Sequence, residues 1–144
     1  MINLKTVPIA VYVILGMLIL GIFVYFIFKE PKKVTDEEIK EGTQNEIDEI
    51  KESNPSIKQT YSNITYVQWA DQIYHAVSGA GTNEDSIFQV FYQLKNKLDW
   101  AMLKKAFGVR DEMSLNAWLR DDLKVSLINK LNNELRRINV KERI

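Results

Sequence analysis

The chain has 144 residues, 19 of them basic and 19 acidic, so its formal net charge at pH 7 is zero. That balance gives no electrostatic footprint of the kind that nucleic-acid-binding proteins carry. The lack of cysteine excludes disulfides, thiolate catalysis and zinc–thiolate sites, and the single histidine, His75, excludes any site that needs two.

The first element is an apolar run, residues 7–28, that contains no charged residue. As a helix rising ~1.5 Å per residue, it is roughly 33 Å long, enough to cross a hydrocarbon core of roughly 30 Å. A helix is the spanning form open to a lone segment, because its backbone groups must find their partners internally. The sequence therefore predicts a transmembrane helix, defined by Val7, Pro8, Tyr12, Gly16, Gly21, Tyr25 and Phe28.

Residues near the two ends of the run support a membrane anchor. Pro8 falls in the first turn, where its missing N–H costs nothing, and Tyr12 and Tyr25 lie towards the two interfaces, where aromatic side chains meet the headgroups. The alternative is a cleaved signal peptide. However, the run is longer than an apolar signal core of about 7–15 residues, and no small-residue cleavage site follows it. More lysines follow the run than precede it, which favours a cytoplasmic C-terminus.

Residues 29–60 are polar and charged, and we expect them to form a partly helical linker. Thr35 and Glu38 have the spacing of a capping box, so a helix should begin there. The apolar residues that follow are too sparse for a wide buried stripe, and Gly42 interrupts them. These residues are Ile39, Ile47 and Ile50. The segment is interpreted as a solvated spacer; alternatively, its isoleucine edge pairs with a partner helix within an assembly.

Residues 61–144 show apolar positions every three to four residues, which predicts five short helices joined by short connections. Thr82, Asp99 and Ser114 are the expected N-caps of the second, third and fourth helices. Gly108 suits the turn that ends the third. The predicted core consists of Trp69, Ile73, Ile87, Phe91, Trp100, Leu103, Phe107, Trp118, Leu123 and Leu131. Since no segment alternates as a half-buried strand does, the predicted class is all-α: domain 1–28 with the anchor, linker 29–60 and helical domain 61–144.

The loop between the first two of these helices, residues 79–85, reads G-A-G-T-N-E-D. Its two glycines allow the backbone carbonyls to turn to one side without steric cost. Such carbonyls, together with a carboxylate, are how proteins hold a hard cation such as calcium. Asp121 and Asp122 on the fourth helix are the natural source of that carboxylate. The alternative is a tight interhelix turn followed by an N-cap.

This part of the chain resembles an annexin repeat, whose signature is G-x-G-T-[DN]-E-[DE] with an apolar position two residues further on. The chain reads G-A-G-T-N-E-D-S-I, and the resemblance, which covers roughly residues 66–135, continues through A-F-G and W-L-R-D-D-L further on. It implies a five-helix repeat and a calcium site whose shell is completed by a lipid phosphate. The implied ligands are the carbonyls of Val77, Gly79 and Gly81 and the carboxylate of Asp122, with Asp121 as the fallback.

The C-terminal end is basic, through Arg136, Arg137, Lys141 and Arg143. Positive charge at a helix C-terminus is favourable in itself. Its functional interpretation is contact with phospholipid headgroups or with an acidic partner.

Taken together, these patterns lead us to expect a non-enzymatic, single-pass membrane protein that presents a small helical interaction domain. Its partners would be the lipid bilayer and one or more proteins of a larger assembly, such as a virion with an internal membrane, and not nucleic acid. The alternative is a calcium-dependent phospholipid-binding module, with calcium as the one possible cofactor. A membrane-tethered hydrolase has no support, because no nucleophile, base and orienting group can be recognised.

Overall fold

The computed structural model describes residues 16–17 and 35–144. The predicted membrane span therefore lies outside the described residues, except for the helical pair Gly16 and Met17. No helix in the described ranges combines the length and apolar character that crossing a bilayer requires. The chain divides after Lys33, and residues 34–144 form one compact unit, whose fold is given below.

Six helices and one short hairpin make up the described part of this unit. Their bounds are α1 (Asp36–Ser53), α2 (Asn63–Val77), α3 (Glu84–Gln93), α4 (Lys97–Phe107), β1 (Val109–Arg110), β2 (Met113–Ser114), α5 (Leu115–Asp122) and α6 (Val125–Arg137). The fold is mostly helical, which confirms the predicted all-α class at that level. Five of the helices begin after residue 60, the number that the sequence predicts for this region.

Two predicted helix starts are confirmed by their capping bonds. The hydroxyl of Thr35 accepts a hydrogen bond from the N–H of Glu38 at 3.2 Å, and the Glu38 carboxylate accepts one from the N–H of Thr35 at 3.1 Å. Ser114 caps α5 by accepting from the N–H of Ala117 at 3.4 Å. These side chains satisfy N–H groups that the first turn of a helix leaves without partners.

Two other predicted caps are wrong, each because a neighbouring asparagine takes the role. Asn83 rather than Thr82 caps α3, accepting from the N–H of Ser86 at 3.1 Å. Asn96 rather than Asp99 caps α4 and accepts from two N–H groups of the first turn, at 2.8 and 3.1 Å. The displaced Thr82 and Asp99 use their side chains for tertiary contacts instead.

The main core lies among α2, α3, α4, α5 and α6. Eight of the predicted core residues are buried in it, namely Ile73, Ile87, Phe91, Trp100, Leu103, Phe107, Leu123 and Leu131. Trp69 and Trp118 are half-buried and pack against this core from its edge. The reason is visible for Trp118, whose indole N–H donates to the carbonyl of Arg110 at 2.9 Å and so faces the hairpin. Trp69 lies edge-on to the ring of Tyr61, at 4.7 Å between centroids.

The segment interpreted as a solvated spacer is, from residue 36 onwards, a helix packed on the domain. Ile47 and Ile50 of α1 are 2% and 7% exposed and form a second apolar cluster with Leu98 and Ala101 of α4. Next to that cluster, the ammonium of Lys105 donates to the side-chain oxygen of a glutamine of α1 at 2.5 Å. A domain boundary at residue 60 is therefore wrong for this unit. Two isoleucines nearly one turn apart are enough to bury this side of α1, because the facing helix α4 supplies a small and a large apolar side chain.

A two-residue hairpin turn, which the sequence does not predict, connects α4 to α5. Val109 pairs with Ser114, and Arg110 with Met113, in antiparallel register. The turn residues Asp111 and Glu112 have φ values of 46° and 66°. This left-handed conformation is what a two-residue hairpin turn of right-handed twist requires. Asp-Glu lacks the glycine that normally signals such a turn, so the sequence does not indicate the hairpin.

Candidate functional site

The loop between α2 and α3 closes on its own backbone. The N–H of Asn83 donates to the carbonyl of Ala76 at 2.9 Å, and the N–H of Gly81 donates to the carbonyl of Gly79 at 3.0 Å. Gly81 has φ = 103°, a conformation that side chains strongly disfavour, so glycine is required here for steric reasons. The loop is a tight connection whose tip, including Gly79 and Ala80, is exposed.

Asp122 reaches this loop from the last turn of α5, as the sequence predicts for a carboxylate of the fourth helix of the domain. The hydroxyl of Thr82 donates to the Asp122 carboxylate at 2.6 Å across 40 residues of sequence. Asp121 is exposed and makes no contact with the loop in the described structure. Of the two acidic residues considered, Asp122 is thus the one placed beside the G-A-G-T loop.

The other implied calcium ligands are backbone carbonyls. The Gly79 carbonyl already accepts the internal bond from Gly81, and one oxygen of Asp122 accepts from Thr82. In the described ranges there is no cluster of three or more His, Cys, Asp or Glu side chains that could hold a metal ion. A cation at this loop would therefore depend on carbonyl oxygens, on Asp122 and on groups supplied from outside.

A buried carboxylate elsewhere in the domain is the main polar centre that sequence reasoning missed. Asp99 is fully buried and accepts four hydrogen bonds: from the N–H and the hydroxyl of Thr60, the hydroxyl of Tyr66 and the N–H of Lys95. Burial, and then the bond to Asp99, raise the pKa of the Tyr66 hydroxyl. The sequence placed Asp99 at a helix start, and its position three residues after a competing asparagine cap was the available signal.

A second polar group joins α1, α4 and the C-terminal segment. The ammonium of Lys104 lies 2.7 Å from the carboxylate of Glu46 and 2.5 Å from that of Glu142. The side-chain amide of Asn116 donates to the other oxygen of Glu142 at 2.7 Å. These contacts border a cavity of about 190 Å³ between α1, α4 and the start of α5. Their effect is to fix α1 and the C-terminal segment to the same lysine.

A cation–aromatic cluster supports the hairpin. The guanidinium of Arg110 lies 5.0 Å from the ring centre of Tyr74 and 4.9 Å from that of Phe107, and it pairs with Asp71 at 2.6 Å. The hydroxyl of Tyr74 donates to Asp111 at 2.6 Å, and this bond raises the pKa of Tyr74. The arrangement holds the hairpin turn in its left-handed conformation, while the neighbouring His75 is exposed.

No protein-family model, curated protein or solved structure matches the chain. The resemblance to an annexin repeat thus rests on the residues quoted from the sequence.

Proposed function

We propose that the chain is a non-enzymatic, single-pass membrane protein that presents its helical unit to a protein partner. It would act as a structural or adaptor component of a membrane-associated assembly, such as a virion with an internal membrane. The observation that carries this proposal is the uncharged apolar run at residues 7–28, which is long enough for one span. The remaining chain then serves to present a folded surface beside the bilayer.

The packing of α1 shortens the connection between that run and the folded unit. Only residues 29–35, seven in all, separate the run from the start of α1 at Asp36. Seven residues span at most about 25 Å even when fully extended. The proposed role is therefore to hold the helical unit close to the membrane surface, and not at the end of a long stalk.

A surface suited to a protein partner lies on α2. Ile64 and Val67 are 70% and 46% exposed and are three residues apart, so they share one side of the helix. Beside Val67 is a groove of about 220 Å³ that also involves Met102 and Ala106 of α4. We propose this exposed pair and the adjoining groove as the contact for the partner, because covering apolar surface is favourable.

Membrane extraction tests the anchor directly. The full chain is expressed in cells, and membranes are washed with alkaline carbonate, which strips peripheral proteins. We expect the intact chain to remain in the pellet. The variant Leu15→Arg/Ile19→Arg should move to the supernatant, because each charge at the centre of the span costs about 2.5–3.5 kcal/mol of insertion free energy. The apolar swap Leu15→Ile/Ile19→Leu is the matched control and should stay in the membrane.

Two results would contradict this proposal. One is a mature product shortened by the first thirty or so residues, as a cleaved signal segment would give. The other is release of the unmodified chain by carbonate to the same extent as the arginine variant.

A second candidate function is calcium-dependent binding of phospholipid by an annexin-like repeat. The contact of Asp122 with Thr82 favours it, because it brings a carboxylate of α5 to the loop that the resemblance singles out. With one carboxylate on offer, the expected dissociation constant is weak, on the order of 10⁻⁴–10⁻³ M.

A further inference from the structure

The chain that follows α6 folds back onto that helix. Asn139 has φ = 61° and reverses the chain direction. The N–H of Val140 then donates to the carbonyl of Leu135 at 2.9 Å, and the N–H of Ile144 donates to the side-chain oxygen of Asn132 at 2.9 Å. Val140 and Ile144 are each only 7% exposed. The exposed side chains between them are therefore presented from a fixed backbone.

These side chains form a basic cleft, which we define by Arg136, Lys141 and Arg143. The cleft has a volume of about 450 Å³ and includes the amide side chains of Asn132 and Asn139. Among the described residues that line it, one carboxylate occurs, that of Glu142, which is engaged by Lys104 at 2.5 Å. The cleft therefore carries a net positive charge.

Of the three cations of the basic cleft, Arg136 donates to the side-chain oxygen of Asn133 and lies in the last turn of α6, where positive charge is favourable. No ion pair within the described residues engages any of them. Their neighbour Arg137 differs, since it pairs with Glu134 at 2.9 Å and donates to the carbonyl of Leu94 at 3.1 Å. A further guanidinium, that of Arg120, donates to the backbone carbonyl of Arg143 at 3.3 Å and adds positive charge beside the cleft.

The basic cleft adjoins the cavity that runs beside the first half of α1. Glu142 borders both the cleft and the neighbouring cavity, and the latter is also lined by Glu38 and Ile39 of α1. That helix begins at Asp36. Asp36 is paired with Lys40, which offsets part of the negative charge of the first turn of α1.

We propose that the basic cleft is a calcium-independent docking surface for anionic phospholipid headgroups. The inference rests on the membrane anchoring proposed above and concerns a surface other than the G-A-G-T loop. Guanidinium groups match phosphate oxygens in paired hydrogen bonds. Basic residues within a Debye length, about 8–10 Å, of an anionic leaflet are attracted to it. With the chain anchored as proposed above, contact between the basic cleft and that leaflet would orient the unit on the membrane.

Energy transfer to the bilayer tests this proposal on the full chain. Because the chain has no cysteine, a single donor dye can be attached through Asn129→Cys, an exposed position of α6. The protein is placed in nanodiscs of phosphatidylcholine, with or without phosphatidylserine, that carry a headgroup acceptor, with EDTA throughout. We expect at least twofold higher transfer efficiency in the anionic discs. The difference should vanish at about 0.5 M salt, where the Debye length falls to about 4 Å.

Matched charge reversals identify the surface responsible. Arg136→Glu/Lys141→Glu/Arg143→Glu should abolish the difference between the two kinds of disc. The control changes the same number of charges at exposed lysines elsewhere in the unit, Lys51→Glu/Lys58→Glu/Lys95→Glu, and should retain it.

Equal transfer in both discs would overturn the inference, as would equal loss in both variants or an effect that appears only when calcium replaces EDTA. Failure of the unmodified chain to enter discs would instead refute the anchoring proposal, and this inference with it. The salt titration of the unmodified chain does not depend on the folding of either variant.

Discussion

The hydroxyl of Tyr66 donates a 2.6 Å hydrogen bond to a carboxylate oxygen of Asp99, although both residues are completely buried. The remaining bonds to Asp99 come from Thr60 and Lys95. One carboxylate thereby joins the segment before α2, the middle of the core and the loop before α4. The Asp99 side chain thus links these three parts of the unit, and it is the acceptor for all four donors.

Removing this carboxylate should be among the most destabilising single changes in the unit. Asp99→Ala leaves the buried hydroxyl of Tyr66 and three part-buried donors of Thr60 and Lys95 without this acceptor, and a buried donor left unpaired costs about 1–3 kcal/mol. We expect a loss of at least about 3 kcal/mol in the free energy of unfolding, and about 1.5–3 kcal/mol for Tyr66→Phe, since bonds to charged groups fall in that range. Urea unfolding of a fragment of residues 34–144 measures both.

The exposed Asp121 provides the control for this measurement. Asp121→Ala should change the free energy of unfolding by no more than about 0.5 kcal/mol, as surface substitutions usually do. A loss below about 1 kcal/mol for Asp99→Ala would show that water replaces the carboxylate without difficulty, and would contradict its proposed role.

Tyr66 should also make the unit sensitive to alkali. Burial and the bond to Asp99 raise the pKa of Tyr66 above its ordinary value of 10.0. Above pH 10 or so, the unfolded chain therefore releases a proton that the folded chain keeps, and stability falls as pH rises. The difference in unfolding free energy between the unmodified fragment and Tyr66→Phe should shrink from about pH 10 upwards, by at most about 1.4 kcal/mol per pH unit. Parallel stability curves for the two proteins would contradict this.

Local signals predicted most of the helices because they depend on near neighbours. The capping bonds of Thr35 with Glu38 need only residues three apart, and both were predicted. The packing of α1 was missed because it depends on Ile47 meeting Ala101, more than fifty residues away. Two isoleucines on a charged helix are too few to signal burial on their own. They are buried because α4 packs against them.

In the candidate site, too, the features given by a motif were predicted and the other long-range contacts were missed. The glycines of the loop and the approach of Asp122 follow from motif and helix order, and the bond from Thr82 agrees with them. Asp99 was taken for a helix cap because its donors on Thr60 and Tyr66, which show its role, lie more than thirty residues away in sequence. The hairpin turn at Asp111 and Glu112 was missed because side chains outside the turn stabilise it.

The packing of α1 on α4 can be tested at Ile47. Ile47→Ala should lower the free energy of unfolding by about 2–4 kcal/mol, because it removes buried methyl groups and leaves a cavity. The control is Ile64→Ala, which changes an isoleucine that is 70% exposed and should have little effect. Equal, small effects of the two changes in urea unfolding would restore the interpretation of this segment as a solvated spacer.

Two glycines should respond to alanine in opposite directions. At Gly108, φ is 60° and an added Cβ would lie 2.5 Å from a carboxylate oxygen of Asp36, which accepts a bond from the N–H of Val109. Gly108→Ala should therefore cost about 1–3 kcal/mol. Gly42 lies in α1 with open space around it, so Gly42→Ala should stabilise the unit by about 0.5–1 kcal/mol. Thermal unfolding of the two variants gives both signs, and stabilisation by Gly108→Ala would contradict the close approach of Asp36.

Calcium titration decides between the two interpretations of the G-A-G-T loop. If Asp122 closes a site with a dissociation constant near 10⁻³ M, about 10 mM calcium adds about 1.4 kcal/mol of stability and raises the melting temperature by several degrees. Asp122→Asn should abolish this increment, whereas the matched change Asp121→Asn should preserve it. The increment is compared within each variant, because Asp122→Asn also alters the bond from Thr82. An unchanged melting temperature in the unmodified fragment would leave the loop as a tight turn, which the bond from Thr82 to Asp122 joins to α5.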